Sequence, residues 1–99
     1  MHDLNAFQRD LLYVIAARDE PSGLALKKEL ETYHTGEVHH GRLYPNLDEL
    51  VDKGLVEKGK LDDRTNYYSL TRRGERELVA RREWERRTLA GGVDTPPPE

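Results

Sequence analysis

Residues 40–46 read HGRLYPN, and four of these seven side chains are of types that can bind other molecules through hydrogen bonds or charge. Arg42 carries a planar fork of donors that fits the O6 and N7 edge of guanine, and Asn46 carries the donor and acceptor that fit adenine. His40 and Tyr44 add polar groups to the same short stretch. Gly41 lets a backbone approach closely. The free N–H groups at a helix start, with their partial positive charge, suit a phosphate. A second basic group follows: Lys58, Lys60 and Arg64 flank the turn LDD, where they can touch phosphate or enter the minor groove. Asp62 and Asp63 at the tip oppose that use. Asp48, Glu49 and Asp52 must point away from phosphates or sit beyond the groove, because like charges repel there. Each stretch also has a plainer reading: a capped helix start on a solvent face, and a solvated hairpin of mixed charge.

Other chemistry finds less support. The histidines are His2, His34, His39 and His40. Neighbouring His39 and His40 cannot easily face one ion from a helix. His34 with His39 or Glu37 is the one conceivable start of a metal site, short of the converging set a metal needs. Cysteine is absent, so no disulfide framework or thiolate site exists. There is no glycine-rich phosphate loop, serine elbow or paired acid and base. The expectation is therefore no enzyme, no metal and no cofactor.

The elements that must position these groups follow from punctuation and period. Asn5, with Gln8 three residues on, predicts a capping box opening a helix from Ala6 to Arg18, with Phe7, Leu11, Leu12, Val14 and Ile15 on its apolar face. DEPSG breaks the pattern. Ser22 caps a second helix, Gly23 to Tyr33, with Leu26, Leu30 and Tyr33 facing inward. After the turn HTGEV, a third helix runs over about 40–53, with Leu43, Leu47, Leu50 and Val51 on one stripe, and Gly54 ends it. Pro45 lies near its start, tolerable if the helix begins near Arg42 or forgoes one bond. LVEKGK and RTNYYSLT then read as a two-stranded hairpin, with Tyr68 and Leu70 on one face. Thr71 caps a last helix, 72–89.

Three helices, a hairpin and a helix make a mainly α fold with a β-hairpin: a winged helix-turn-helix over residues 1–71, plus a C-terminal dimerisation helix over 72–90. In that arrangement the second helix braces the third, which enters the major groove by its N-terminal end. The tail, 91–99, holds two glycines and three prolines and reads as disordered.

Charge and length narrow the class. The net charge is -3 over 99 residues. Residues 1–50 hold five Lys/Arg against nine Asp/Glu, whereas 51–90 hold eleven against eight, so the basic excess lies in the second half. Eleven arginines against five lysines, among many carboxylates, fit either salt adaptation or an ordinary charged surface. No apolar run reaches the ~20 residues of a membrane helix, and the N-terminus lacks a signal peptide's regions. A cytoplasmic, soluble protein with no membrane association is expected.

The run GRLYPNLDELVDKGLVEKG, followed by YYSLTRRG, resembles the PadR family of winged-helix transcriptional regulators. Gly41, Leu43, Tyr44, Pro45, Leu47, Leu50, Gly54, Leu55 and Val56 match the family's G-x-L-Y-P-x-L helix and the G-L-[IV] after it. Tyr68, Leu70, Thr71 and Gly74 match the end of its wing. The resemblance spans about residues 6–89, and its short last helix is similar to that of the small subfamily. His39 and His40 replace the small residues or proline usual before the glycine, and Arg42 stands where threonine or serine is usual.

The resemblance implies a homodimer that binds double-stranded operator DNA as a repressor and pairs through its last helix. It also leaves room for a flat aromatic effector stacked on an aromatic at the dimer axis. The expected DNA contacts are His40, Gly41, Arg42, Tyr44 and Asn46, with Lys60 and Arg64 on the wing; the ring of Tyr44 is expected to pack near Val51. The expected dimer residues are Leu78, Trp84 and Leu89, since a tryptophan inside RREWERR needs cover. A tryptophan folded back on its own first helix is the plainer reading. A winged helix that binds protein instead of DNA remains the alternative function.

Overall fold

The computed structural model describes residues 3–34 and 36–92. Along the chain come α1 (Ala6–Ala17), α2 (Gly23–His34), α3 (His40–Asp52), β1 (Val56–Lys60), β2 (Asn66–Leu70) and α4 (Arg72–Ala90). The tail expected to be disordered lies, from residue 93 on, outside the described residues.

α1 opens on the expected capping box. Asn5 Oδ1 accepts from the Gln8 backbone N–H at 2.7 Å, and Gln8 Oε1 accepts from that of Asn5 at 3.2 Å. The helix stops one residue early, with Arg18 as an extended C-cap. The chain then passes through Glu20 at φ 45°. Next, the Tyr68 N–H donates to the Pro21 carbonyl at 2.9 Å, and Ser22 pairs with Tyr67 as an antiparallel bridge. This fastens the start of α2 to β2.

Ser22 Oγ caps α2 by accepting from the Ala25 N–H at 3.1 Å. Leu26 and Leu30 are fully buried, but Tyr33 is 75% exposed, which corrects its expected inward position. The last turn of α2 overruns the core. Tyr33 stacks edge-on against His34 there, and Val38, past the turn, is buried instead.

α3 begins at His40, with His39 as N-cap. Pro45 is thus its sixth residue, and the Gly41 carbonyl forgoes one intrahelical donor. Gly54 ends the helix at φ 75°, a left-handed value that costs glycine little. Leu55 N–H bonds back to the Leu50 carbonyl at 3.1 Å and Gly54 N–H to that of Val51 at 3.0 Å, the paired bonds of a Schellman stop.

β1 and β2 pair antiparallel from Val56↔Leu70 to Lys60↔Asn66. In the loop between them, Asp62 Oδ1 accepts from the N–H groups of Arg64 and Thr65, both at 2.8 Å. Thr71 then caps α4, accepting from Gly74 N–H at 3.0 Å while donating to the Gly54 carbonyl at 2.7 Å. A methyl group on Gly74 would overlap the Leu55 carbonyl, so α4 starts directly on the corner between α3 and β1.

The core lies where α1, α2, α3 and the sheet meet; Leu11, Leu12, Leu43, Leu47 and Leu50 have no exposed surface. Truncating one of these to alanine costs about 2–5 kcal/mol. Leu78 is 8% exposed and belongs to this cluster. That corrects its expected place in a subunit interface: the second turn of α4 still lies over its own domain. Farther on, the Tyr13 hydroxyl donates to Glu85 at 3.0 Å. Trp84 and Leu89 stay 48% and 47% exposed, so Trp84 does not fold back under its own domain's cover.

Candidate nucleic-acid interface

α3 sorts its residues by helical spacing. Leu43, Leu47 and Leu50 face the core. The opposite side carries Gly41, Pro45, Asp48 and Asp52, all exposed. Arg42, Asn46 and Glu49 form the edge toward α1, and His40 and Tyr44 the edge toward α2 and the hairpin.

On the outer side, a Cβ added to Gly41 would meet nothing within 4 Å. The fold itself therefore makes no demand for glycine there. Its neighbour Pro45 also projects little. The N-terminal half of the outer side is consequently low and uncharged, whereas the C-terminal half bears two carboxylates. Asp48 lies 3.7 Å from Lys58 on β1, an exposed pairing that offsets its charge locally and is worth less than about 1 kcal/mol.

On the α1 edge, the Arg42 guanidinium carbon sits 4.2 Å from the centroid of the Phe7 ring. Stacking occupies one planar face and leaves the N–H fork free; among the described residues no protein group accepts from it. Asn46 is arranged differently from the expectation. Its Oδ1 accepts from Gln8 Nε2 at 3.0 Å and Asn5 Nδ2 at 3.3 Å, and its Nδ2 donates to the Arg42 carbonyl at 2.7 Å. The adenine-reading edge is thus turned inward onto α1. Gln8 Nε2 also donates to Glu49, which draws that carboxylate toward α1.

On the other edge, the Tyr44 ring lies against Gly23 at the start of α2, where any Cβ would collide with it. It does not pack near Val51, because helical side chains lean toward the N-terminus and Val51 lies two turns the other way. His40 stacks edge-on with Tyr44, centroids 5.5 Å apart. His40, Tyr44, Asn66 and Arg64 help line a cleft of about 430 Å³ between α2, α3 and the hairpin. Lys60 and Arg64 are exposed. Leu61 beside them, the apolar residue of the turn LDD, is 57% exposed at the hairpin tip.

The described histidines do not converge; His2 lies outside the described residues. His34 sits 3.3 Å from Asp10, and His39 sits 3.8 Å from Glu37. Among the described residues, no group of three or more His, Cys, Asp or Glu can hold a metal ion. Nor is any described helix long and apolar enough to cross a membrane.

A helical core that braces an outward-facing third helix, with a hairpin standing beside it, defines the winged helix-turn-helix proteins. Within that class the chain belongs to the transcriptional regulator PadR-like family, whose profile matches residues 11–80. It is similar to RosR of H. salinarum, in a structure grown from NaBr, with 52% identity over 95% of this chain and 82% of that chain, TM-score 0.82. The RosR-S1 complex gives 52% identity over 95% of this chain and 80% of that chain, TM-score 0.83. Bacillus subtilis PadR in complex with operator DNA shares 22% identity over 96% of this chain and 51% of that chain, TM-score 0.65, a likeness of fold. No curated protein matches the chain.

Proposed function

We propose that the chain binds operator DNA as a homodimer and represses transcription, inserting the N-terminal half of α3 into the major groove. The observation that carries this reading is the outer side of α3. Gly41 and Pro45 leave the helix low there, and Arg42 stands beside them with an unused donor fork. His40 and Tyr44 flank the opposite edge and reach sugar or phosphate, while Lys60 and Arg64 bring positive charge from the wing. Asp48 and Asp52 require the helix to enter by its N-terminal end and leave the groove over its second half, because carboxylates close to phosphates are repelled. Bacillus subtilis PadR, with the same fold, has been captured on operator DNA. For the dimer, the support is the half-exposed Trp84 and Leu89 on the part of α4 that projects past the domain. A flat aromatic effector stacked on Trp84 is a further part of this reading.

The test is fluorescence anisotropy of purified protein on a sequence enriched from a random duplex library, against scrambled duplex, across a salt series. Tighter binding to the enriched duplex by about 10³-fold or more is expected at moderate salt. Equal binding to both sinks sequence-specific regulation. The same two carboxylates favour one other reading, a winged helix that docks on protein through α3; loss of all DNA binding at moderate salt would favour it.

A further inference from the structure

Gln8 is a buried polar side chain, 2% exposed, and it bonds to α3 from the first turn of α1. Each of its polar atoms is used. Oε1 accepts from the Asn5 N–H, closing the capping box, and Nε2 donates its two protons to Asn46 and Glu49. Asn46 Oδ1 in turn has two lone pairs, and both are taken, by Gln8 and by Asn5. To read adenine, Asn46 must offer Oδ1 to the base N6 amino group and Nδ2 to N7. Rotating out to do so would strand a proton of Gln8 in the core, and an unpaired buried donor is costly. The neighbouring residue of α1 acts on Arg42 in the opposite sense. The Phe7 ring supports one face of the guanidinium and makes no claim on its donors.

We propose that Gln8 is a specificity-determining positioning residue: by holding the Asn46 Oδ1, with Asn5 on its other lone pair, it withdraws that side chain from base readout and leaves Arg42 as the reading side chain on this edge of α3. The inference rests on the operator-binding reading above. It makes base preference depend on a buried residue of α1 that touches no DNA. Replacing Gln8 by methionine keeps the volume but removes both donors. Asn46 then keeps only its exposed bonds to Asn5 and the Arg42 carbonyl, which water can replace, and can turn outward, one helical turn along from Arg42.

The test is a per-base affinity profile, taken by single-base substitution of the sequence that the wild-type chain enriches from a random duplex library. Asn46→Ala alone is expected to leave the wild-type profile unchanged within about twofold at every position, since a single good base contact is worth roughly fivefold or more. Gln8→Met is expected to add an adenine preference of roughly fivefold or more at a base next to the Arg42 contact. The double variant Gln8→Met/Asn46→Ala should lose that preference while keeping the Gln8→Met melting temperature. A merely structural Gln8 would move the melting temperature and leave the profile as it was. Loss of discrimination at one base in Asn46→Ala overturns the proposal. So does a folded Gln8→Met variant with the wild-type profile, or one weakened equally on all sequences. Should Gln8→Met fail to fold, the Asn46→Ala profile decides alone. A wild-type chain that enriches no sequence sinks the operator reading and this inference with it, whereas enrichment followed by any of the contrary profiles sinks this inference only.

Discussion

Gly41 and Arg42 are adjacent and ask for opposite experiments. A glycine inside a helix costs about 0.5–1 kcal/mol against alanine, and nothing within 4 Å of a Cβ at Gly41 requires its absence. Gly41→Ala should therefore raise stability by about that amount. If the position serves close approach to DNA, the same variant should bind the enriched duplex more weakly. A thermal melt and an anisotropy titration read the two effects, and unchanged affinity would return Gly41 to chance. Arg42→Ala should cost about 1–3 kcal/mol on the enriched duplex and far less on scrambled duplex. Equal losses on both would make Arg42 a phosphate contact. Its stack on Phe7 is partly exposed and of the order of 0.5–1 kcal/mol, so the variant should still fold.

At the scale of the element, the wing depends on Asp62. The backbone N–H of Arg64, first, and that of Thr65 bond to its carboxylate and hold it below its ordinary pKa of 3.8, against a desolvation that acts the other way. A depressed carboxylate contributes order that is fully present above the unfolded pKa and fades as pH falls through the lower folded value. The tip should thus be intact at pH 6 and loosen below about pH 4. Amide exchange at Arg64 and Thr65 is the measurement; protection that does not change through that window would remove Asp62 as the organiser. The loop presents Arg64, which is exposed and lies off α3. Arg64→Ala should weaken enriched and scrambled duplex alike and reduce the slope of log K against log salt by about one. An unchanged slope would place Arg64 off the DNA.

For the whole molecule, α4 sets the shape. α4 is the longest helix, 19 residues, and its last turns carry the half-exposed Trp84 and Leu89. Arg81 stacks over Trp84 at 4.4 Å yet leaves the indole half exposed. A large apolar ring so placed is best covered by another subunit. Two copies joined about a two-fold axis there would set their α3 helices one DNA turn apart, ~34 Å. Trp84→Ala is expected to lower the mass in solution toward that of one chain and to weaken operator binding at the same protein concentration. Sedimentation across concentration decides, and a stable dimer with unchanged affinity would remove Trp84 from the axis.

What the sequence by itself determined was local. Asn5 with Gln8, Ser22, Thr71 and Gly54 mark helix ends because caps and left-handed stops are made within a few residues, and all four act where the sequence places them. The stripe of Leu43, Leu47 and Leu50 needed only the helical period to name the core side of α3, and the LYP and YxLTxxG patterns pointed to the family that the profile match establishes. Everything that depended on a neighbour from elsewhere in the chain was settled by tertiary structure. Leu78 and Leu89 share a stripe on α4, yet one is core and the other exposed, since only the first lies over the domain. Tyr33 follows the inward period of α2 but falls past the core's edge. The bridge from Ser22 to Tyr67 is a single residue pair, too short to leave a periodic signal. Asn46 looks like a base reader by type and position, and only the arrival of Gln8, 38 residues away in sequence, turns its amide inward. A capping residue's second use, at the Nε2 that the capping box does not employ, is invisible in the motif that announces its first.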